Sequence, residues 1–229
     1  MKLGSPDGEL DLYVARPDGQ PRAGLVVIQE AFGVNDHIKD VTRRFADEGY
    51  LAVAPDMFHR FEQRTMGYDE MSAAIGQVRQ MNAAMIMNDV EAAIGWLKGQ
   101  DVAKIGLAGF CFGGYAAFLA ATRSADVAAA VGFYGAGIAN PRNPEAPIKD
   151  AEKLRAPVLL LFGEQDQMNP LDQVDEIEAT LSRLGKEHEI VRYPEAGHGF
   201  FCDARGSYDA GAAADAWRRT LAFLDARLG

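Results

Sequence analysis

One cysteine lies in a sequence that is typical of a nucleophilic turn. Residues 109–114 have the sequence GFCFGG, which is the G-x-S-x-G form of a nucleophile elbow with cysteine in the place of serine. A thiolate held in such a turn attacks carbonyl carbon and forms a covalent intermediate. Because a helix is predicted to begin directly after Cys111, its dipole would favour thiolate over thiol. We predict that Cys111 is a nucleophile; the alternative is a small buried apolar residue.

A histidine late in the chain could act as the general base for this thiol. His198 has a glycine on each side and follows the last predicted strand. The other histidines have different settings: His37 is near a helix start, His59 is in a loop, and His188 is at a strand entrance. In this type of site the chain order is nucleophile, acid, histidine, which His198 fits. The alternative is an ordinary loop histidine.

The acid of such a triad must lie between the cysteine and the histidine. Asp166 fills this place, because it ends the sequence LFGEQD directly after a predicted strand. Its carboxylate would hold the imidazole tautomer and stabilise the imidazolium. Glu164 and Asp172 are competing candidates, although Asp172 has the position of an acid in the first turn of a helix.

The elements that must position these residues alternate between strand and helix. Continuous β-branched runs predict buried strands, and apolar residues at helical spacing predict helices. The predicted strands are residues 9–15, 24–29, 50–54, 104–110, 128–134, 157–162 and 187–193. The predicted helices are residues 37–49, 69–98 with a break at Gly76, 112–121, 171–184 and 207–228. Residues 135–147, rich in Gly and Pro, predict an irregular loop.

This alternation predicts one α/β domain over residues 1–229, with a mostly parallel central sheet and helices on both faces. Ligands bind such sheets beyond the carboxyl ends of the strands. Four of the predicted strands are followed there by a residue of reactive type: Glu30, Cys111, Asp166 and His198. We therefore expect these four side chains to lie together.

The composition argues against several classes of partner. The net charge of −10 provides no basic stripe for nucleic acid. Two cysteines are too few for a disulfide framework or a four-cysteine metal site. Residues 1–19 lack the pattern of a signal peptide, and no apolar run approaches the roughly 20 residues of a membrane span. We expect a cytoplasmic protein with no membrane partner, in a compartment where thiols stay reduced.

The motifs resemble those of the dienelactone hydrolase family of α/β-hydrolases. The resemblance runs from about Gly24 to the last helix. Its most specific parts are residues 29–35 (QEAFGVN), 55–58 (PDMF), 109–114 (GFCFGG) and 196–200 (AGHGF). An ordinary esterase has His-Gly-Gly where the first motif stands, so the combination with a cysteine elbow is specific.

The resemblance implies a mechanism as well as a fold. It implies a triad of Cys111, Asp166 and His198. Glu30 would lie beside the thiol, take its proton and swing away, so that thiolate appears when substrate is bound. The backbone N–H groups of Ala31 and Phe112 would form an oxyanion hole, which is worth a few kcal/mol. The implied reaction is cleavage of a small ester or lactone through a thioester, without metal or organic cofactor. The sequence does not reveal the oligomeric state, and we expect a monomer or small homo-oligomer.

The residues that would hold the substrate are less clear from the sequence. Family members that act on dienelactone bind the substrate carboxylate with arginines, the usual carboxylate clamp. Counting forward from His198, the expected position holds Cys202, although Arg205 is close. The second arginine has no clear register; Arg60, Arg64 and Arg79 are nearby. This departure puts a dicarboxylate-like lactone in doubt and favours less charged esters.

Aromatic residues near the reactive positions would make the site apolar. Phe112, Phe200 and Phe201 would favour neutral acyl or aryl groups, and the alternative is that they pack in the core. Two other functions remain open. The same fold could cleave another bond, such as a phosphotriester, although a dehalogenase would need a carboxylate nucleophile. A non-catalytic binding protein is less consistent with retention of all four reactive residues.

Overall fold

The computed structural model describes residues 1–229 and has eight strands and six α-helices. The strands are β1 (Lys2–Ser5), β2 (Gly8–Ala15), β3 (Ala23–Ile28), β4 (Tyr50–Pro55), β5 (Ile105–Phe110), β6 (Val127–Phe133), β7 (Val158–Gly163) and β8 (His188–Tyr193). The helices are α1 (Asp36–Asp47), α2 (Met71–Val78), α3 (Ala83–Lys98), α4 (Phe112–Arg123), α5 (Leu171–Arg183) and α6 (Ala210–Leu228), with a 3₁₀ helix at Pro147–Lys153.

All eight strands form one sheet in the order β1-β2-β4-β3-β5-β6-β7-β8. Strands β3 to β8 are parallel to one another. Strands β1 and β2 lie at one edge, where β1 pairs antiparallel with β2 and β2 pairs antiparallel with β4. The prediction of a mostly parallel sheet is therefore confirmed. Strand β1 was not predicted, because its sequence KLGS is short and only half-buried and carries no apolar run.

Helices cover both faces of this sheet, as predicted. Residues of α1 and α6 pack with one set of strand side chains, which includes Leu25 and Val27. Residues of α3, α4 and α5 pack with the opposite set, which includes Val26 and Ile28. Alternate residues of one buried strand thus enter two different cores. None of the helices combines the length and apolar character needed to cross a membrane.

The long predicted helix over residues 69–98 is divided at a different place from the one predicted. Helix α2 ends at Val78 and α3 begins at Ala83, whereas Gly76 lies inside α2. The side chain of Asn82 accepts a hydrogen bond from the N–H of Met85 and caps α3. An N-terminal cap accepts a hydrogen bond from a backbone N–H in the first turn of a helix, which has no acceptor within that helix. Asn82 was therefore a stronger boundary signal than the glycine.

Candidate active site

The turn between β5 and α4 places Cys111 in a strained backbone conformation. Its φ is 54° and its ψ is −115°, and Tyr134 (φ 39°) is the only other non-glycine residue with positive φ. A Cβ on Gly109 would overlap the carbonyl of Gly113, and a Cβ on Gly113 would overlap the carbonyl of Ile28. Only glycine fits at both flanking positions. Strain of this kind costs about 1–3 kcal/mol and is typical of functional sites.

His198 lies between the thiol of Cys111 and the carboxylate of Asp166. Its Nε2 is 3.1 Å from Cys111 Sγ, and its Nδ1 donates to Asp166 Oδ2 at 2.8 Å. The three residues come from loops at the carboxyl ends of β5, β7 and β8, where parallel sheets place their ligands. The geometry is that of a nucleophile, a base and a residue that orients the base.

The carboxylate of Asp166 is fixed by its own turn. Its Oδ1 accepts from the N–H of Met168 at 2.8 Å, and its Oδ2 accepts from the Asn169 side chain at 2.7 Å. Asn169 also donates to the carbonyl of Tyr134 at 3.2 Å. Sequence reasoning did not single out Asn169, although an amide three residues after the acid was a usable signal. These bonds leave the carboxylate one orientation, toward His198.

The charges of the three residues support one another. Burial by itself raises the pKa of Asp166. The hydrogen bond to His198, the charge of His198, and the hydrogen bonds from Asn169 and Met168 outweigh burial and lower that pKa overall. Burial likewise lowers the pKa of His198, but the charge on Cys111 and the bond to Asp166 outweigh burial and raise it to about 10. A charged thiolate at Cys111 and the carboxylate of Asp166 thus both favour the protonated imidazole.

Glu30 is fully buried directly after β3, but the thiol is not its hydrogen-bond partner. Its Oε1 accepts from Tyr134 Oη and from Arg205 Nη1, each at 3.3 Å, and its Oε2 has no partner. The thiol of Cys111 instead faces His198. Glu30 and the thiol therefore share no hydrogen bond in this arrangement, and the guanidinium of Arg205 compensates the buried charge of Glu30.

Two backbone N–H groups beside Cys111 are free to bind an oxyanion. The N–H groups of Ala31 and Phe112 take part in no hydrogen bond within the protein. Phe112 is the first residue of α4, so its N–H has no intrahelical acceptor. Both residues line the same cavity as Cys111.

This cavity has a volume of about 470 Å³, which is the size of a small-molecule site. Its reactive part includes Cys111, His198 and Arg205. The apolar wall from α2 and the following residues consists of Met71, Ile75, Val78, Met81, Ala83 and Ile86. The polar wall contains Tyr115, Asn140, Asn143 and Glu145. The predicted irregular loop at 135–147 thus contributes one side of the cavity.

The aromatic residues divide between the cavity and the core. Phe112 lines the cavity, as predicted. The prediction that Phe200 and Phe201 line it is wrong, because both are buried and neither reaches it. Phe201 packs on Phe110 and Phe133, with ring centroids 5.3 and 4.9 Å apart. Their closeness to His198 in the sequence predicted that they lie near the site, but it did not determine where their side chains point.

Two arginines line the cavity, which the sequence could not establish. Arg205 is partly buried and pairs with Glu30, whereas Arg79 is exposed and takes part in none of the ion pairs. Both lie on the cavity wall. The two other candidates are used elsewhere: Arg60 pairs with Asp89 and Asp7, and Arg64 pairs with Asp11 and Asp56.

Comparison with known proteins identifies the family of this chain. The model of the dienelactone hydrolase family matches residues 10–228. A Synechocystis protein, provisionally named a carboxymethylenebutenolidase, is 41% identical over 215 residues, which are 89% of this chain and 86% of that protein. A Methylorubrum extorquens protein with the same provisional name is 38% identical over 96% of this chain and 77% of its own.

Solved structures give the same result. A Klebsiella pneumoniae protein, provisionally described as a dienelactone hydrolase, has a TM-score of 0.90 and 34% identity, covering 98% of this chain and 96% of that one. A dienelactone hydrolase-like promiscuous phosphotriesterase from metagenomic libraries has a TM-score of 0.83 and 28% identity, covering 100% and 98%. The fold is the α/β-hydrolase fold, and the chain belongs to the dienelactone hydrolase family.

Proposed function

We propose that the chain hydrolyses small carboxylic esters or lactones with Cys111 as its nucleophile. The observation that carries this proposal is the line of contacts from Cys111 Sγ through His198 to Asp166, with distances of 3.1 and 2.8 Å. Membership of the family identifies the chain as a hydrolase of the ester and lactone class. The cavity of about 470 Å³ admits substrates of that size.

The proposed reaction has two stages, and each stage passes through a tetrahedral intermediate. The thiolate of Cys111 attacks the carbonyl carbon, and the N–H groups of Ala31 and Phe112 bind the oxyanion. As the intermediate collapses, the carbon–oxygen bond breaks and the leaving oxygen takes the proton of His198. A thioester remains on Cys111. His198 then takes a proton from water, the hydroxide attacks the thioester, and the thiolate leaves.

We propose that Glu30 regulates how the thiol is activated. Its carboxylate accepts from Arg205 and Tyr134, so it is held by two donors in this arrangement. A substrate carboxylate that reached Arg205 would compete with Glu30 for the guanidinium. The released Glu30 could then accept the thiol proton, which is the role that the family resemblance implies.

The preferred substrate, in our proposal, carries a carboxylate and an apolar portion. The sequence left the second arginine unplaced and favoured less charged esters. With Arg79 and Arg205 both on the cavity wall, two guanidinium groups are available to one small molecule. The methionine and isoleucine side chains opposite them would hold an apolar portion of the substrate.

Trapping the acylated enzyme tests the proposal directly. After rapid mixing with p-nitrophenyl acetate and quenching in acid, we expect an acetyl group on the peptide that contains Cys111. Because a thioester is expected, neutral hydroxylamine should remove the group. Mass spectrometry of the intact chain and of its peptides measures both results. Steady turnover with acetyl groups only on other residues would refute the cysteine mechanism.

Replacing Arg79 with methionine tests the carboxylate clamp. A charge-assisted hydrogen bond contributes about 1.5–3 kcal/mol, so we expect the ratio of kcat/KM for a carboxylate-bearing lactone to that for p-nitrophenyl acetate to fall at least tenfold. The matched control is Arg64→Met, which removes the same charge from a residue outside the cavity. Equal ratios in the two variants would show that Arg79 does not bind the carboxylate.

A second candidate activity is the cleavage of phosphotriesters. It is favoured by the 28% identical neighbour described as a promiscuous phosphotriesterase, which superposes with a TM-score of 0.83. A thiolate and two backbone N–H groups could serve attack at phosphorus as well as at carbon. Assaying a chromogenic phosphotriester with the same preparation that cleaves p-nitrophenyl acetate decides this, since loss of both activities in Cys111→Ala is required.

A further inference from the structure

A second group of reactive side chains lies outside the cavity. Glu30, His37 and Cys202 are buried, and none of them lines the cavity. One nitrogen, one sulfur and one oxygen from these residues lie within 4.8 Å of one another. We call the three residues the inner cluster. They come from the segment after β3, from the first turn of α1 and from the loop before α6.

Two polar atoms of the inner cluster have no hydrogen-bond partner. They are Oε2 of Glu30 and Nε2 of His37, and both are buried. An unpaired buried polar atom costs about 1–3 kcal/mol, so such atoms rarely occur in pairs without a reason. Two such atoms on side chains that lie beside one thiol point to a ligand that all three residues can bind together.

The donor set indicates which ligand. A thiolate, an imidazole and a carboxylate are the three side-chain types that bind Zn²⁺. With bond lengths of about 2.0–2.3 Å, a tetrahedral ion needs its ligand atoms about 3.3–3.6 Å apart. Atoms already within 4.8 Å reach that spacing by shifts of about 1 Å. We propose that the inner cluster binds one Zn²⁺ ion through Glu30, His37 and Cys202.

The residues around the inner cluster suit a metal site. Nδ1 of His37 lies 3.7 Å from Asp203 Oδ1, whose side chain is 77% exposed. Metal-binding histidines commonly direct their second nitrogen at a carboxylate, which sets the tautomer. Tyr68 accepts from the thiol of Cys202 at 3.1 Å, and its hydroxyl can donate to the sulfur once the thiol has lost its proton.

Charge and proton balance are simple. Binding releases the proton of Cys202 to solvent, and Zn²⁺ then faces one thiolate, one carboxylate and one neutral imidazole, so the cluster is neutral. Arg205 retains Oε1 of Glu30, while the ion takes Oε2. An ion here would also hold Glu30 in place and so prevent it from accepting the thiol proton of Cys111. This effect on catalysis rests on the proposed function, whereas the metal binding does not.

Metal titration of the full chain tests the proposal. The triad thiol could also bind metal, so the titration is done with wild type and with Cys111→Ala, after both are freed of metal with a chelator. We expect Cys111→Ala to bind one Zn²⁺ per chain by calorimetry and to show an increased Tm. With Co²⁺ as the probe, we expect a thiolate-to-cobalt absorption band.

Variants of the inner cluster in the same Cys111→Ala chain locate the ion. Cys202→Ser and His37→Gln should each weaken Zn²⁺ binding at least about 100-fold, and Asp203→Asn about 10-fold; the cobalt band should be lost in Cys202→Ser. His188→Gln removes a histidine outside the cluster and should bind as before. No binding by Cys111→Ala, or unchanged binding after either cluster substitution, would overturn the proposal whether or not the chain hydrolyses esters.

Discussion

The alanine variant of Cys111 is expected to lose at least about 10⁴-fold in kcat/KM for p-nitrophenyl acetate. Removal of the nucleophile from a catalytic triad leaves only binding and oxyanion stabilisation, which explains losses of this size. Cys111 is 8% exposed and lines the cavity together with His198, whose Nε2 lies 3.1 Å from its thiol. Initial rates at several substrate concentrations give the value.

Two controls make the loss of activity specific to the thiol. The Tm of Cys111→Ala should stay within a few degrees of wild type, because the smaller side chain of alanine fits the same backbone conformation, with its φ of 54°. His188→Gln, a substitution remote from the cavity, should retain the wild-type rate. If Cys111→Ala keeps a rate within tenfold of wild type, the nucleophile is a different group.

The second large effect is expected from Asp166→Asn. Asparagine fills the same space but removes the charge that holds the tautomer of His198, and we expect kcat to fall roughly 10³–10⁴-fold. Asp166 is one of the groups that raise the pKa of His198 to about 10. Without it that pKa falls, so the imidazolium that stabilises the thiolate is lost at lower pH than in wild type.

Alkylation of Cys111 by iodoacetamide measures this second effect without any substrate. Labelling of Cys111 should be slower in Asp166→Asn than in wild type, because the neutral asparagine gives less support to the imidazolium that stabilises a thiolate. Glu164→Gln and Asp172→Asn are the matched controls, since both acids follow β7 and are exposed. If either control reproduces the loss of activity and Asp166→Asn does not, the acid of the triad is assigned wrongly.

The parts of the fold that could be predicted are those with strong local signals. The buried strands β3, β4, β5 and β7 are continuous apolar runs, and their order with the helices requires a parallel sheet. A sheet of this kind brings its loops to one edge. The sequence therefore placed Cys111, Asp166 and His198 in neighbouring loops, and the distances of 2.8 and 3.1 Å agree with that prediction.

Other parts of the site depend on side-chain direction and on long-range partners. Phe200 and Phe201 follow His198 closely, yet their rings enter the core, because the turn at Gly199 (φ 80°) redirects the chain. Arg79 lines the cavity from the C-cap of α2, and the sequence instead predicted a break at Gly76, inside this helix. The pairing of Glu30 with Arg205 joins residues 175 positions apart, and no local pattern reveals such a pair.

The two left-handed residues of the site have a consequence for how the chain tolerates change. Cys111 and Tyr134 follow the adjacent strands β5 and β6, and together their backbones cost about 2–6 kcal/mol. Native domains have a net stability of only about 5–15 kcal/mol. The backbone strain at the site thus offsets a large share of the stabilisation that the rest of the fold provides. A variant stabilised elsewhere in the fold should tolerate more substitutions than the wild-type chain, so directed evolution of this chain should begin from such a variant.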